Sequence, residues 1–180
     1  MNSIPCLICL VGILFSSQAS AKTLKAHVHG NAKITIALES PTKANIALDA
    51  PGDSIFGFEH PARSAAEKKA FDAALNTLRT QGATLVQFDP SLTCTFTVKD
   101  AGLEKEEHDA AAPAEKESGQ HQDVNASYEV NCQKPITGTV GKVGIMGLFP
   151  RVKKVTVEVL SEGNQFEKTF ALGDGQSVQF

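Results

Sequence analysis

Residues 24–39 alternate between apolar and polar side chains, and this alternation constrains the fold more than any other feature of the sequence. One parity carries the apolar and small residues Leu24, Ala26, Val28, Gly30, Ala32, Ile34, Ile36 and Leu38. The other parity is mostly Lys, His, Asn and Thr. Because successive side chains of a strand point to opposite faces, the pattern predicts a β-strand over residues 24–39 with one buried face.

Two histidines, His27 and His29, lie on the polar parity of this predicted strand. Two strand steps of roughly 3.3 Å each would place the imidazoles about 7 Å apart on one face. Neutral imidazole is a common ligand of Zn²⁺ and of other divalent transition metals. The pair is therefore interpreted as the core of a metal site, and the alternative is two exposed polar side chains.

The N-terminus has the pattern of an export signal. Residues 6–15 are almost wholly apolar, and Ala19-Ser20-Ala21 follows as a small-residue cleavage site. These features predict a signal peptide over residues 1–21, cleaved after Ala21, and a periplasmic product. The apolar run is shorter than the roughly 20 residues of a membrane span, and no membrane span is expected elsewhere. Residues 22–180 have the size of a single domain.

The pattern of the remaining chain predicts an α+β fold. One long helix is expected over residues 64–81, with Ser64 and Glu67 forming a capping box and Gly82 as a left-handed cap. A hairpin turn is expected over residues 161–164. The other strands are expected at 45–49, 84–88, 94–98, 126–132, 154–160 and 165–172. This set of predicted elements indicates a mainly antiparallel, sandwich-like sheet structure with one long helix.

Residues 99–123 differ from the rest of the chain. This insertion has Leu103 as its only large apolar residue, and acidic side chains outnumber lysines. Such a segment cannot bury enough surface to offset its ordering entropy, which predicts a disordered acidic loop. Its two histidines, His108 and His121, stand beside carboxylates and are interpreted as weak metal-capture ligands. The alternative is a solvated linker that binds nothing tightly.

Cys94 and Cys132 flank the acidic insertion. Cysteines of an exported protein are usually oxidised, so this pair is predicted to form a disulfide. The alternative, metal ligation, is less favoured because the chain after the signal peptide has no C-x-x-C spacing.

A third candidate ligand stands in the segment Glu59-His60-Pro61. His60, with Glu59 beside it, could complete a site with His27 and His29. The alternative is a histidine that ends a strand and forms a local hydrogen bond before the proline.

Several functions are excluded or disfavoured by composition and motif. The net charge of −3 and the absence of a basic cluster argue against nucleic-acid binding. Gly52-Asp53-Ser54-Ile55 matches the start of an esterase motif of the GDSL type. The downstream Asp-x-x-His that those enzymes need is missing, because no histidine follows His121. No catalytic residues are therefore predicted.

Short motifs along the chain together carry a family resemblance: Ala26-His27-Val28-His29-Gly30, Leu48-Asp49-Ala50-Pro51, Gly57-Phe58-Glu59-His60, the run from Ala126 to Pro135, Leu148-Phe149-Pro150 and the run from Val155 to Val159. In this ordered set the chain resembles the ZrgA-like family of zinc-regulated bacterial periplasmic proteins. The resemblance implies a zinc-binding accessory of zinc uptake that works with the solute-binding protein of a zinc transporter. In that family a His-, Asp- and Glu-rich insertion is held to bind zinc. Here the insertion keeps only His108 and His121.

The sequence thus predicts a non-enzymatic periplasmic protein that binds Zn²⁺ and assists zinc acquisition. Because imidazole must be neutral to bind a metal, affinity is expected to fall in acid. The alternative is an envelope interaction module in which the histidine motif is structural.

Overall fold

The computed structural model describes residues 28–104 and 121–180. The predicted signal peptide, His27 and His108 lie outside these ranges. Within them, the larger of two sheets consists of β1 (Asn31–Ser40), β2 (Lys43–Pro51), β4 (Cys94–Leu103), β5 (Asp123–Cys132), β7 (Lys154–Ser161) and β8 (Asn164–Ala171).

The smaller sheet consists of β3 (Val86–Gln87), β6 (Val140–Val143) and β9 (Ser177–Gln179). The helices are α1 (Gly52–Ile55), α2 (Ala65–Thr80), α3 (Gly82–Leu85) and α4 (Ile145–Leu148), with a 3-10 turn at Pro90–Leu92. No helix among the described residues is long and apolar enough to cross a membrane.

The larger sheet has the strand order β4-β5-β2-β1-β7-β8. All neighbours are antiparallel except β1 and β7, which pair in parallel from Asn31 opposite Lys154 to Ala37 opposite Leu160. In the smaller sheet β6 lies between β3 and β9. The predicted α+β class, with mainly antiparallel, sandwich-like sheets and one long helix, is confirmed.

The core lies against one face of the larger sheet, and the predicted alternation marks that face. Ala32, Ile34 and Ile36 of β1 are buried, as are Ala44, Ile46, Leu48 and Ala50 of the neighbouring β2. The opposite face is polar. There Lys33 Nζ lies 2.7 Å from Glu158 Oε2 across the parallel pair β1–β7. One apolar and one polar face explain why the alternating sequence folds as a half-buried sheet.

The first strand begins later than the sequence predicts. β1 starts at Asn31, and His29 and Gly30 form a turn in which the Asn31 amide donates to Val28 O at 3.1 Å. Gly30 has φ +79°, a left-handed conformation that a glycine adopts without steric cost. The prediction that His29 stands on a strand is therefore wrong. The alternating pattern continues through a turn that the glycine makes possible.

The long helix is close to its prediction at its start and differs at its end. Ser64 and Glu67 form the predicted capping box. Gly82, however, is not a left-handed cap but the first residue of α3, so the expected strand 84–88 is helical at residues 84–85 and forms β3 only at Val86–Gln87. A side chain at Gly82 would place its Cβ 2.3 Å from the Tyr128 ring. Close packing against Tyr128, and not backbone conformation, explains this glycine.

β4 and β5 form a long hairpin stem around the acidic insertion. Cys94 and Cys132 face each other at its outer end and form the predicted disulfide. The insertion is shorter than expected, because residues 99–103 belong to β4 and β5 begins at Asp123. A register shift between Val98 and Asp100 turns Ala101 into the core, which lets the strand continue beyond the apolar pattern.

Candidate functional site

The carboxylate of Glu59 lies between two histidines from distant parts of the chain. Oε1 of Glu59 is 3.1 Å from Nε2 of His29, and Oε2 is 2.5 Å from Nδ1 of His121. This cluster of His29, Glu59 and His121 is referred to below as the Glu59 cluster. It places two imidazoles and one carboxylate, the donor types typical of zinc sites, at one position on the surface.

The members of the Glu59 cluster differ in exposure. The Glu59 side chain is only 12% exposed, whereas those of His29 and His121 are 64% and 60% exposed. Burial alone would raise the pKa of the Glu59 carboxyl, but the polar contacts with His121 and His29 outweigh it and lower this pKa below its ordinary value of 4.5. Glu59 is therefore a shielded anion beneath two exposed rings.

His29 is held in place through its neighbours in the turn. The amide of Gly30 donates to Oγ of Ser54 at 3.0 Å, and Ser54 is fully buried in α1. On the other side, the Gly30 carbonyl accepts from the amides of Lys153 and Lys154. The backbone beside His29 is thus fixed between α1 and the start of β7.

His121 and Glu59 are brought together by main-chain hydrogen bonds of Gln122, the residue that follows His121. Its amide donates to Glu59 O at 3.2 Å, and its carbonyl accepts from the Gly52 amide at 2.6 Å. A Cβ on Gly52 would come within 2.7 Å of Gln122 O and Phe58 O, so only glycine fits this crossing. The close approach of three backbone segments therefore positions both side chains.

One oxygen of Glu59 lacks a hydrogen-bond donor among the described residues. Oε1 is buried, and the nearby ring nitrogen Nε2 of His29, at 3.1 Å, can donate to it only in the tautomer that carries its proton there. An unsatisfied buried carboxylate oxygen is costly unless a cation completes it. Two donors bound at about 2.0–2.1 Å to one tetrahedral Zn²⁺ are roughly 3.3 Å apart. The His29–Glu59 contact fits that spacing.

Within residues 28–104 and 121–180, no group of three His, Cys, Asp or Glu side chains converges closely enough to hold a metal. In the Glu59 cluster each carboxylate oxygen faces a different ring, so the three donors do not yet surround a common point. Both rings are more than half exposed. A metal would need such a local rearrangement to take all three side chains as ligands.

His60 makes its contacts away from the Glu59 cluster. Its Nδ1 lies 3.0 Å from Pro61 O, its Nε2 lies 3.9 Å from Oε1 of Glu67, and its ring stacks on Phe58 with centroids 5.2 Å apart. No strand reaches His60, because β2 ends at Pro51 and α1 and a loop follow. These contacts direct the imidazole toward the first turn of α2.

Of the metal ligands predicted from the sequence, the structure thus brings together His29, Glu59 and His121. His27 and His108 lie outside the described residues. His121 was expected only as a weak ligand of a flexible loop, yet it lies two residues before β5 and contacts Glu59.

Two residues that the sequence pattern did not mark as ligands lie beside this cluster. Oδ2 of Asp53 is 4.0 Å from Nδ1 of His29, and Oδ1 is 3.6 Å from Nη1 of Arg151. Asp53 belongs to the segment that resembles an esterase motif. Its signal in the sequence is an acidic side chain next to a serine, in a turn rich in small residues. Nothing in the sequence indicated Arg151.

Comparison with known families identifies the chain. The model of the ZrgA family zinc uptake protein matches residues 26–177, which is most of the chain. No curated protein matches it. The chain therefore belongs to the ZrgA family of zinc uptake proteins, as the ordered motifs of the sequence indicated.

Proposed function

We propose that this member of the ZrgA family binds Zn²⁺ as cargo in the periplasm and assists zinc acquisition without catalysing a reaction. Zinc would be bound at the Glu59 cluster by Glu59, His29 and His121. The observation that carries the proposal is the buried carboxylate of Glu59, held between two exposed imidazoles with one oxygen unsatisfied.

The chemistry of these donors suits zinc. Imidazole nitrogen and carboxylate oxygen are both ordinary Zn²⁺ ligands, and Zn²⁺ accepts a tetrahedral arrangement with little geometric preference of its own. The same donors would bind Cu²⁺ and Ni²⁺, so selectivity would depend on which metal is available in the compartment. His27 is two residues from His29 and is the candidate for a fourth ligand.

The surroundings of Ser54 support a non-enzymatic role. In an esterase the serine hydroxyl must be exposed beside a histidine that acts as its base. Here Ser54 is fully buried, and its Oγ accepts the hydrogen bond of the Gly30 amide. The residue that could have been a nucleophile instead supports the turn that carries His29.

The exposure of the two rings suits delivery of zinc to another protein. A ligand set whose imidazoles are more than half exposed can be approached by a second protein, whereas a closed structural site cannot. We propose the solute-binding protein of a zinc transporter as the recipient. This choice is supported by the membership in a family of zinc uptake proteins.

Isothermal titration of the chelator-treated full chain with ZnCl₂ tests the proposal. Glu59→Gln keeps the side-chain shape and removes the charge, and His29→Ala and His121→Ala each remove one imidazole. Each change should weaken zinc binding by more than the roughly 10- to 100-fold that loss of a supporting residue costs. His60→Ala is the matched control, because it removes a partly exposed imidazole that follows Glu59 in the chain but makes its contacts away from the cluster, and it should bind zinc as the wild type does.

Two results would contradict the proposal. Wild-type affinity in Glu59→Gln and in both histidine variants would place zinc elsewhere. Absence of zinc binding by the wild-type chain would favour the alternative of an envelope interaction module.

A further inference from the structure

The two nitrogens of the His29 ring each face a different carboxylate. Nε2 lies 3.1 Å from Oε1 of Glu59, and Nδ1 lies 4.0 Å from Oδ2 of Asp53. In a neutral imidazole one nitrogen carries the proton and the other carries the lone pair that binds a metal. The group that accepts a hydrogen bond from one ring nitrogen therefore leaves the other nitrogen to bind the metal.

Asp53 is held close to His29 by the structure around it. It lies in α1, directly before Ser54, which accepts the hydrogen bond from the amide of Gly30. The segment that carries Asp53 is thus already bound to the backbone beside His29. A movement of about 1 Å would bring Oδ2 within hydrogen-bond distance of Nδ1.

Arg151 supports Asp53 from the opposite side. Its Nη1 lies 3.6 Å from Oδ1, so it leaves Oδ2 to His29. The guanidinium packs over Gly57, where a Cβ would lie 2.9 Å from Nε of Arg151. The missing side chain at Gly57 gives the arginine its position, and the arginine balances the charge of Asp53.

We infer that Asp53 is a positioning residue for zinc binding: it accepts a hydrogen bond from the Nδ1–H of His29 and so leaves Nε2 to bind a zinc ion at Glu59. The inference rests on the proposed function. Carboxylates that hold a ligating histidine in this way are a general feature of metal sites, and their loss costs about 10- to 100-fold in affinity. Asp53 itself does not touch the metal.

Zinc titration of Asp53→Ala and Asp53→Asn tests this role. Asp53→Ala should weaken binding by about 10- to 100-fold. Asp53→Asn should lose less, because its amide oxygen can still accept a hydrogen bond from Nδ1–H. Asp72→Ala and Asp72→Asn are the controls, since Asp72 is an exposed carboxylate on α2, and both should bind zinc as the wild type does.

A spectroscopic measurement separates positioning from a general effect on the fold. The ¹⁵N shifts of the His29 ring in the zinc-loaded chain should show a protonated Nδ1 and a metal-bound Nε2 in the wild type and in Asp53→Asn. In Asp53→Ala a second form with the roles exchanged should appear. Wild-type affinity in Asp53→Ala would overturn the inference. So would equal losses in both Asp53 variants with a changed visible spectrum of the Co²⁺-loaded chain, because that result would make Asp53 a direct ligand.

The Glu59→Gln variant distinguishes failure of this inference from failure of the proposed function. If Glu59→Gln weakens zinc binding and Asp53→Ala does not, only the role of Asp53 is wrong. If Glu59→Gln binds zinc as the wild type does, the site itself is wrong and the role of Asp53 falls with it.

Discussion

His121 and Glu59 are 62 positions apart in the chain, and Nδ1 of the histidine lies 2.5 Å from Oε2 of the carboxylate. His121 lies two residues before β5, at the end of the acidic insertion, and Glu59 follows α1. The contact therefore joins the base of the insertion to the segment that also carries Asp53 and contacts His29. Zinc bound at Glu59 would therefore also stabilise the contact between the base of the insertion and the segment that follows α1.

Zinc should raise the thermal stability of the chain. At a free zinc concentration of about 100 times Kd, binding to the folded state adds about 2.7 kcal/mol, which corresponds to a Tm increase of roughly 5–10 °C for a domain of this size. Differential scanning calorimetry with and without zinc measures the increase, and EDTA should reverse it. An equal increase in Glu59→Gln would show that zinc stabilises the fold from another position.

The disulfide should contribute substantially to stability. Cys94 and Cys132 are 38 positions apart, and closing such a loop stabilises the folded state by roughly 4 kcal/mol in the chain-entropy model. The double variant Cys94→Ala/Cys132→Ala should therefore unfold at a lower urea concentration than the wild type. Reducing agent should lower the midpoint of the wild type and leave that of the variant unchanged. Equal urea midpoints for the wild type and the double variant in the absence of reducing agent would contradict the prediction.

Glu67 should stabilise the fold only above acidic pH. Hydrogen bonds from the amides of Ser64 and Arg63 lower the pKa of its carboxyl below 4.5. A carboxyl with a depressed folded-state pKa stabilises the fold above its unfolded pKa, and this contribution is lost as the pH falls through the folded pKa. Wild type and Glu67→Gln should thus differ in stability at pH 7 and converge in acid.

Urea unfolding of both proteins between pH 2 and pH 7 measures this convergence. Glu162→Gln, at an exposed position in the turn between β7 and β8, is the matched control. A stability difference between wild type and Glu67→Gln that stays constant over the whole pH range would contradict the account.

The hydroxyl of Tyr128 should stabilise the C-terminal end of α2. It donates to the carbonyl of Leu78 at 2.9 Å, and burial raises the pKa of the phenol, which keeps the proton in place. Leu78 O is one of the last four carbonyls of α2, for which the helix itself offers no donor. Tyr128→Phe should cost about 1–3 kcal/mol because it leaves this buried acceptor unsatisfied. Unchanged stability in chemical denaturation would refute that role.

Much of the fold could be predicted because it depends on local pattern. The burial of Ala32, Ile34 and Ile36 follows from alternation, and the start of α2 follows from the capping box of Ser64 and Glu67. The parallel pairing of β1 with β7 could not be predicted, since contacts between distant segments decide the strand order. The turn at His29 was missed because a left-handed glycine ends the strand without interrupting the alternation.

The sequence indicated which residues could bind the metal but not which of them lie together in the fold. His29, Glu59 and His121 were all candidates, but His60 rather than His121 was expected beside His29. Residues 59 and 60 lie in a bend after α1, where Glu59 faces the two histidines while His60 faces α2. The backbone bonds of Gln122 decide the partner of Glu59, and they depend on the tertiary fold.

Anomalous diffraction at the zinc absorption edge, from crystals of the zinc-loaded full chain, tests the central claim most directly. The account predicts an anomalous peak about 2.0–2.2 Å from a carboxylate oxygen of Glu59 and from a ring nitrogen of both His29 and His121. A peak bound by His60 and Glu67 would contradict it. So would a peak elsewhere on the chain with Glu59 contacting only His29 and His121.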